Sequence, residues 1–417
     1  PVEPPVEPPV EPPVEPPVEP PVEPPVEPPV EPPVEPPVEP PVEPPVEPPV
    51  EPVNPPVEPV EPVEPVNPPD EPVEPVEPVN PPDEPTAPAP QPSIDTIGSA
   101  VETRTLLQGR AASLALMGQR AGWLADHSYQ SADLALARYP GDRSWAPFGG
   151  VDAADVRVDT GSGSSLTIQG NNALIGIAGK QQSEKGSLLV GGFFESVDAD
   201  YKSKDHYDGI GTLRGKGKIS ATGLGVMGRG QWHNGTRVEV SLRGGRMKTR
   251  FHSKDYVDVD NIAAAYSFHS PYYSAHLGVG HTWQINTKNS FDLLARLFWN
   301  RQESKEVTLS TGEKVRFADD ESQRARLGAR FTHAWTERRS GYIGAAVERE
   351  FAGDVEGRNQ YGHELKSLSL EGTTGVFELG VIIRSRPDKP FAMEIGVQGY
   401  TGALTGISGG IRLGWEF

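Results

Sequence analysis

Three stretches of this 417-residue chain hold residue types that do chemistry in other proteins. Gly406-Ile407-Ser408-Gly409-Gly410 has the spacing of a nucleophile elbow, which needs a sharp turn from strand into helix. Here the serine opens a strand that runs to the chain end, with no helix after it, so the match is one of spacing alone. Gly223-Leu224-Gly225-Val226-Met227-Gly228 has the dinucleotide fingerprint, but it lies inside a strand pattern instead of between strand and helix. Asp255, Asp258 and Asp260 set three carboxylates in one short stretch, the oxygen-rich chemistry of calcium. That stretch lacks the glycine and distal glutamate of an EF-hand loop and reads as a solvated loop. The nine histidines are scattered, and His276 and His281, separated by an odd number, fall on opposite faces of a strand. With no cysteine, thiolate metal sites and disulfides are excluded. No enzyme, cofactor or metal reading survives, and a chain of net charge −20 is not expected to take a nucleic-acid partner.

The elements that carry these residues are more informative. In the final stretch, Ile407, Gly409, Ile411, Leu413, Trp415 and Phe417 share one strand face and Ser408, Gly410, Arg412, Gly414 and Glu416 the other. An apolar face running unbroken to a terminal aromatic suits a strand with lipid on one side and a polar lumen on the other. The same alternation recurs upstream. Val238, Val240 and Leu242 oppose Glu239, Ser241 and Arg243, and Phe391, Met393, Ile395 and Val397 oppose Glu394, Gly396 and Gln398. Twelve strands are expected, near 145–158, 164–181, 186–202, 217–233, 236–252, 268–286, 289–304, 321–336, 340–353, 371–386, 389–402 and 404–417. Their connectors alternate between short turns and long charged loops (203–216, 253–266, 305–320 and 354–370), the asymmetry of outer-membrane barrels. No apolar run reaches the length of a membrane-crossing helix, so a membrane span must be a closed barrel.

Two further regions precede the strands. Residues 1–92 are nearly all Pro, Val and Glu, and only Pro140, Pro147, Pro271, Pro387 and Pro390 of the 47 prolines lie beyond them. The tract carries 22 acidic residues and no Lys or Arg, so the acidity of the chain is the tract's and the remainder is nearly balanced. Proline at this density removes backbone donors and fixes φ, leaving polyproline II, a spacer of up to about 280 Å at ~3.1 Å per residue. The start at Pro1, in mid-repeat, reads as the C-terminal part of a longer precursor. Residues 93–140 are linker and helix. Within 99–137, Gly109, Gly118, Ala121 and Gly122 mix with Arg104, Arg110 and Arg120, a slim helix suited equally to a polar pore or to packing on a domain surface.

From about residue 100 to 417 the chain resembles the β-domain (translocator) of type V autotransporters of Gram-negative bacteria. The resemblance rests on the small-residue helix before the first strand, the Gly-Ala-Ala-Val-Glu-Arg-Glu-Phe-Ala-Gly stretch at 344–353, Tyr400-Thr401-Gly402, and the closing motif ending Trp415-Glu416-Phe417. It implies an all-β fold: a twelve-stranded antiparallel transmembrane barrel at 141–417, with the helix in its pore. It also implies a monomer in outer-membrane lipid that exports and anchors its own N-terminal passenger, a virulence or adhesion factor, leaving the tail at the cell surface. The family's assembly signal, read by the barrel-assembly machinery, maps onto Ile411, Leu413, Trp415 and Phe417. Family members that cut themselves do so at an Asn-Asn pair on the helix, and this helix has no Asn. Glu348 and Glu350 are expected to face the lumen and pair with Arg110 or Arg120, holding the helix as a plug. The competing reading is a channel or binding barrel whose acidic tail stays in the periplasm.

Overall fold

The computed structural model describes residues 101–136, 143–384 and 391–415. The proline-rich tract, Phe417 and the boundaries expected at 92 and 140 lie outside them.

Twelve antiparallel strands close into a barrel. In chain order they are β1 (Arg143–Asp159), β2 (Ser164–Ser183), β3 (Gly186–Tyr207), β4 (Gly211–Trp232), β5 (Thr236–Val257), β6 (Ala263–Gln284), β7 (Asn289–Gln302), β8 (Asp320–Thr336), β9 (Arg339–Ala352), β10 (Gly372–Ile383), β11 (Phe391–Gly402) and β12 (Leu404–Trp415). Each pairs with its chain neighbour, and β1 pairs with β12 in a register that sets Phe148 opposite Gly414 and Val158 opposite Leu404. No sheet edge is left open in the barrel, as lipid demands.

The period-two pattern sorts the side chains. Ile175, Leu224, Leu242, Leu297, Ile343 and Phe377 are exposed on the outer wall. Glu195, Glu239, Arg243, Arg296, Arg326 and Glu394 are buried in the lumen. Five of the seven tryptophans (Trp145, Trp232, Trp283, Trp335 and Trp415) are exposed beside the short turns or the barrel's own ends, forming one aromatic girdle.

A 3₁₀ turn, Val101–Leu107, leads into one long helix, α1 (Gln108–Leu136), inside the barrel. At 29 residues it is about 43 Å long, enough to run the height of the lumen. It is buried all round, which explains its lack of a polar face: every face meets barrel wall. None of the described helices is long and apolar enough to cross a membrane itself.

Two regions expected as long loops are instead strand. β3 and β4 meet in a tight connection at 208–210, and β5 and β6 at 258–262, so these four strands reach 22 residues each. The other two long connections are folded over the lumen. Lys305–Thr308 and Lys314–Phe317 form a hairpin whose Val307, Leu309, Val315 and Phe317 are buried. Phe317 packs on Tyr266 and Phe268 at ring separations of 5.4 and 5.5 Å. Val355, Leu365 and Leu368 join Leu106 and Leu107 in the same cluster, capping the helix entrance with an apolar lid.

Candidate functional site: the helix-filled lumen

The glycines and alanines of α1 leave room for barrel side chains to reach its backbone. A Cβ on Gly109 would lie 2.5 Å from the Tyr266 hydroxyl, and one on Gly122 the same distance from an Arg326 nitrogen. Through such gaps arginines on the wall donate to main-chain carbonyls in mid-helix. Arg243 reaches Met117 O at 3.0 Å, Arg296 reaches Ala125 O at 2.8 Å, and Arg324 reaches Gly118 O.

The charges form a ladder along the helix. At the long-loop end, Arg110 pairs with Asp320 and also donates to the carbonyls of Gln302, Glu303 and Ala318. Midway, Arg120 pairs with Asp152 at 2.7 Å and lies 3.7 Å from Glu195, its guanidinium over the Trp123 ring at 4.7 Å. One turn and a half further on is the most connected group. Asp126 accepts from Arg296, from Arg326 at 2.7 Å and from Gln398 at 2.9 Å. Below it, Gln130 accepts from Arg330 at 3.1 Å, and Asp133 pairs with Arg229 and Lys180. A cavity of about 420 Å³ opens beside this last section, lined by Tyr129, Asp133, Arg229, Arg237 and Arg330.

The ends of α1 lie at opposite rims. At its entrance Arg104 donates to Ser162 O at 3.1 Å, and Thr105 and Gln108 both donate to the buried Asp205. Ser162 and Asp205 belong to the rim of the long loops. At its exit Leu134 packs with Tyr342, Ile382 and Ala392, while Ala135 and Leu136 pack with Ala146 and Ala178 beside the tryptophan girdle. A Cβ on Gly414 would lie 2.5 Å from the Ala135 nitrogen, so the last strand and the helix end are in direct contact.

The expected plug residues are all lumenal, but their pairing needs correction. Glu348 is bound by Arg324 and Arg326, each at 2.8 Å. Glu350 accepts from Ser322 at 2.7 Å and lies 3.5 Å from the Arg324 Nε. Neither meets Arg110 or Arg120. The reason is the ladder register, which sets Arg326 opposite Glu348 and Arg324 opposite Glu350, so each carboxylate finds its cation on the next strand. Arg324 and Arg326 link Glu348 to the helix, donating in turn to Gly118 O and to Asp126. Of the residues expected to form an assembly signal, Ile411, Leu413 and Trp415 are outward and exposed by 42%, 46% and 50%. Asp126 and Asp133, the two acidic residues of α1, were not singled out; a lone carboxylate in mid-helix among alanines is a signal that could have found them.

A family model of the autotransporter β-domain matches residues 145–387, more than half of the chain. The chain belongs to the autotransporter β-domain family. Solved translocators share the fold. The translocator domain of NalP from Neisseria meningitidis matches with TM-score 0.57 at 13% identity, over 76% of this chain and 100% of its own. The β-domain of BrkA from Bordetella gives 0.50 at 16%, over 66% and 100%, and the transport unit of AIDA-I from Escherichia coli 0.50 at 14%, over 75% and 99%. No curated protein matches the sequence. The translocator is therefore an outer-membrane barrel that exports the passenger attached to it. Among the described residues no group of three or more acidic or histidine side chains is placed to hold a metal.

Proposed function

We propose that the translocator delivers its N-terminal tract through the lumen to the cell surface and then keeps α1 in place as a plug. The polarity of the helix carries this reading: its first residues bond to the long-loop rim and its last pack at the tryptophan girdle. In outer-membrane barrels the short turns are periplasmic and the long loops external. Everything before Val101 is then continuous with the outer side. The proline tract suits the passage, since a segment unable to form helix or sheet threads extended and stays so. A passenger would cross unfolded, because the lumen is only wide enough for one helix.

Three further assignments accompany it. The outward Ile411, Leu413 and Trp415, with Phe417, form the signal for the barrel-assembly machinery; deletion of Phe417 lowers the yield of assembled barrel while leaving synthesis unchanged. The outer wall is covered by outer-membrane lipid. The barrel acts as a monomer, since its lumen is filled from its own chain. The test of the main proposal is antibody labelling of the Pro-Val-Glu-Pro repeat on intact and on permeabilised cells. Labelling of intact cells is expected; labelling confined to permeabilised cells would put the tail in the periplasm and favour the channel reading.

A further inference from the structure

The outer wall above the apolar belt is not uniform. On β3 and β4 the belt ends where Phe194 stands opposite Leu224. Beyond it the outward residues are set in cross-strand rows: Thr222 beside Arg246, Ser220 beside Lys248, Lys218 beside Arg250, and Lys202 beside Lys216. Six cations are thus gathered on three adjacent strands. Two rows place like charges directly opposite, an arrangement that destabilises a sheet left to itself. Asp198 lies 3.6 Å from Lys218, and Asp200 is the other carboxylate facing the group from β3. Among the described residues, Lys202, Lys216, Arg246, Lys248 and Arg250 have no ion pair or side-chain hydrogen bond. Cations at this height elsewhere on the wall are engaged: Arg301 pairs with Asp319 and Glu321, Arg349 donates to Thr373 and Arg157 to Ser165. A hollow of about 1020 Å³ opens among Lys202, Lys216, Lys218 and Arg250.

From this surface we infer a second function: the β3–β5 wall binds the phosphorylated headgroups of outer-leaflet glycolipid. Its height selects the ligand. Each two-residue step along a strand tilted about 45° rises roughly 5 Å, so the rows stand at about 5, 10, 15 and 20 Å above the last apolar pair. The polar zone of an ordinary phospholipid leaflet is only about 5–8 Å deep. It reaches Arg246 and, with side-chain bending, Lys248. The upper rows need a taller headgroup bearing several phosphates, as a phosphorylated saccharide lipid does. Its phosphates would lie between the paired cations and relieve their repulsion. The extra length of β3–β5 beyond the 9–11 residues that span a bilayer has its use here.

The test uses the full chain in uncharged detergent micelles doped with bisphosphorylated lipid A or with its dephosphorylated form, reading lipid retained per barrel by mass spectrometry. The variant is Arg246→Gln with Lys248→Gln and Arg250→Gln, all outside the lumen, with Arg301→Gln on β7, outside the cluster, as the control. Heat-modifiable gel migration confirms that each barrel is folded. At about fivefold per surface cation, the triple variant retains lipid A on the order of 100-fold more weakly, and the wild type loses retention in high salt. The control and the dephosphorylated lipid separate charge recognition from simple packing. Equal retention by the wild type and the triple variant, or equal retention of the dephosphorylated lipid, overturns the inference. Displacement by an equal concentration of inorganic phosphate would mark a free-anion site and overturn it as well.

Discussion

Asp126 is the residue on which the plug most depends. The Asp126→Asn change keeps the volume and one acceptor oxygen but removes the charge shared by Arg296 and Arg326. Both arginines retain a second carboxylate, Glu239 at 3.3 Å and Glu348 at 2.8 Å, so neither is left as a bare buried charge. The loss is thus smaller than the 3–5 kcal/mol of a fully orphaned buried pair. Two weakened charge-assisted hydrogen bonds, at about 1.5 kcal/mol each, give about 3 kcal/mol against the helix-in state. At 1.36 kcal/mol per factor of ten, the helix-out population rises about 150-fold. Planar-bilayer recording of the reconstituted full chain reads this directly, as a wild type that is nearly silent and a variant with frequent openings of a wide pore. Arg296→Gln and Arg326→Gln should each give part of the effect, and Asp126→Asn combined with either should give less than the sum, because the groups share one network. Opening frequency within twofold of wild type, in a variant that is folded by gel migration, would refute the view that this ladder holds the helix.

Other expectations follow from the same packing. Gly122→Leu drives side-chain carbon into the Arg326 guanidinium, so it should raise opening frequency at least as much as Asp126→Asn, whereas Gly122→Ala, a contact with a flexible group, should do less. Phe317→Ser empties the aromatic contact of the lid and costs about 3 kcal/mol locally; trypsin cleavage at Arg316 of the purified barrel should become fast while the barrel stays intact. The lid is also pH-sensitive at its base. The Ser304 N–H at 2.6 Å, with Arg301 at 2.8 Å, holds the Asp319 carboxyl below its ordinary range. A depressed folded-state value means its contribution is present above the unfolded value and lost as pH falls through the folded one. Protease access to the lid should therefore increase on acidification below about pH 4, by less than ~1 kcal/mol for so exposed a group, and Asp319→Asn should abolish the dependence.

The sequence alone revealed the barrel wherever lipid and lumen differ sharply. β7, β10 and β12 could be traced by alternation because a strand in the membrane has a dry face and a wet face. The upper ends of β3–β6 were hidden for the converse reason. Above the belt both faces meet polar surroundings, so Lys204, Arg214 and Lys216 read as a charged loop, although the backbone ladder continues through them. The helix was legible from its small residues, and the structure shows why they are needed: wall arginines approach its carbonyls through the gaps. The choice of ion-pair partners was not legible. Arg326 and Glu348 are 22 residues apart in the chain and meet only because β8 and β9 fix their register. Strand register makes such pairings, and the alternation along a single strand does not encode them.

The central claim is that α1 lies within the lumen in the assembled translocator, with its entrance at the external rim. Ser113 on the helix and Thr249 on β5 are hydroxyl to hydroxyl at 2.7 Å, and the chain has no cysteine to interfere. The Ser113→Cys/Thr249→Cys double variant, expressed in cells and oxidised mildly, is the most direct measurement. The account predicts an intramolecular disulfide in the outer-membrane fraction, seen as a shift in unreduced gel mobility, and a pore that stays silent even with Asp126→Asn added. Two free thiols that both remain open to maleimide, with no shift after oxidation, would place the helix outside the lumen and contradict it.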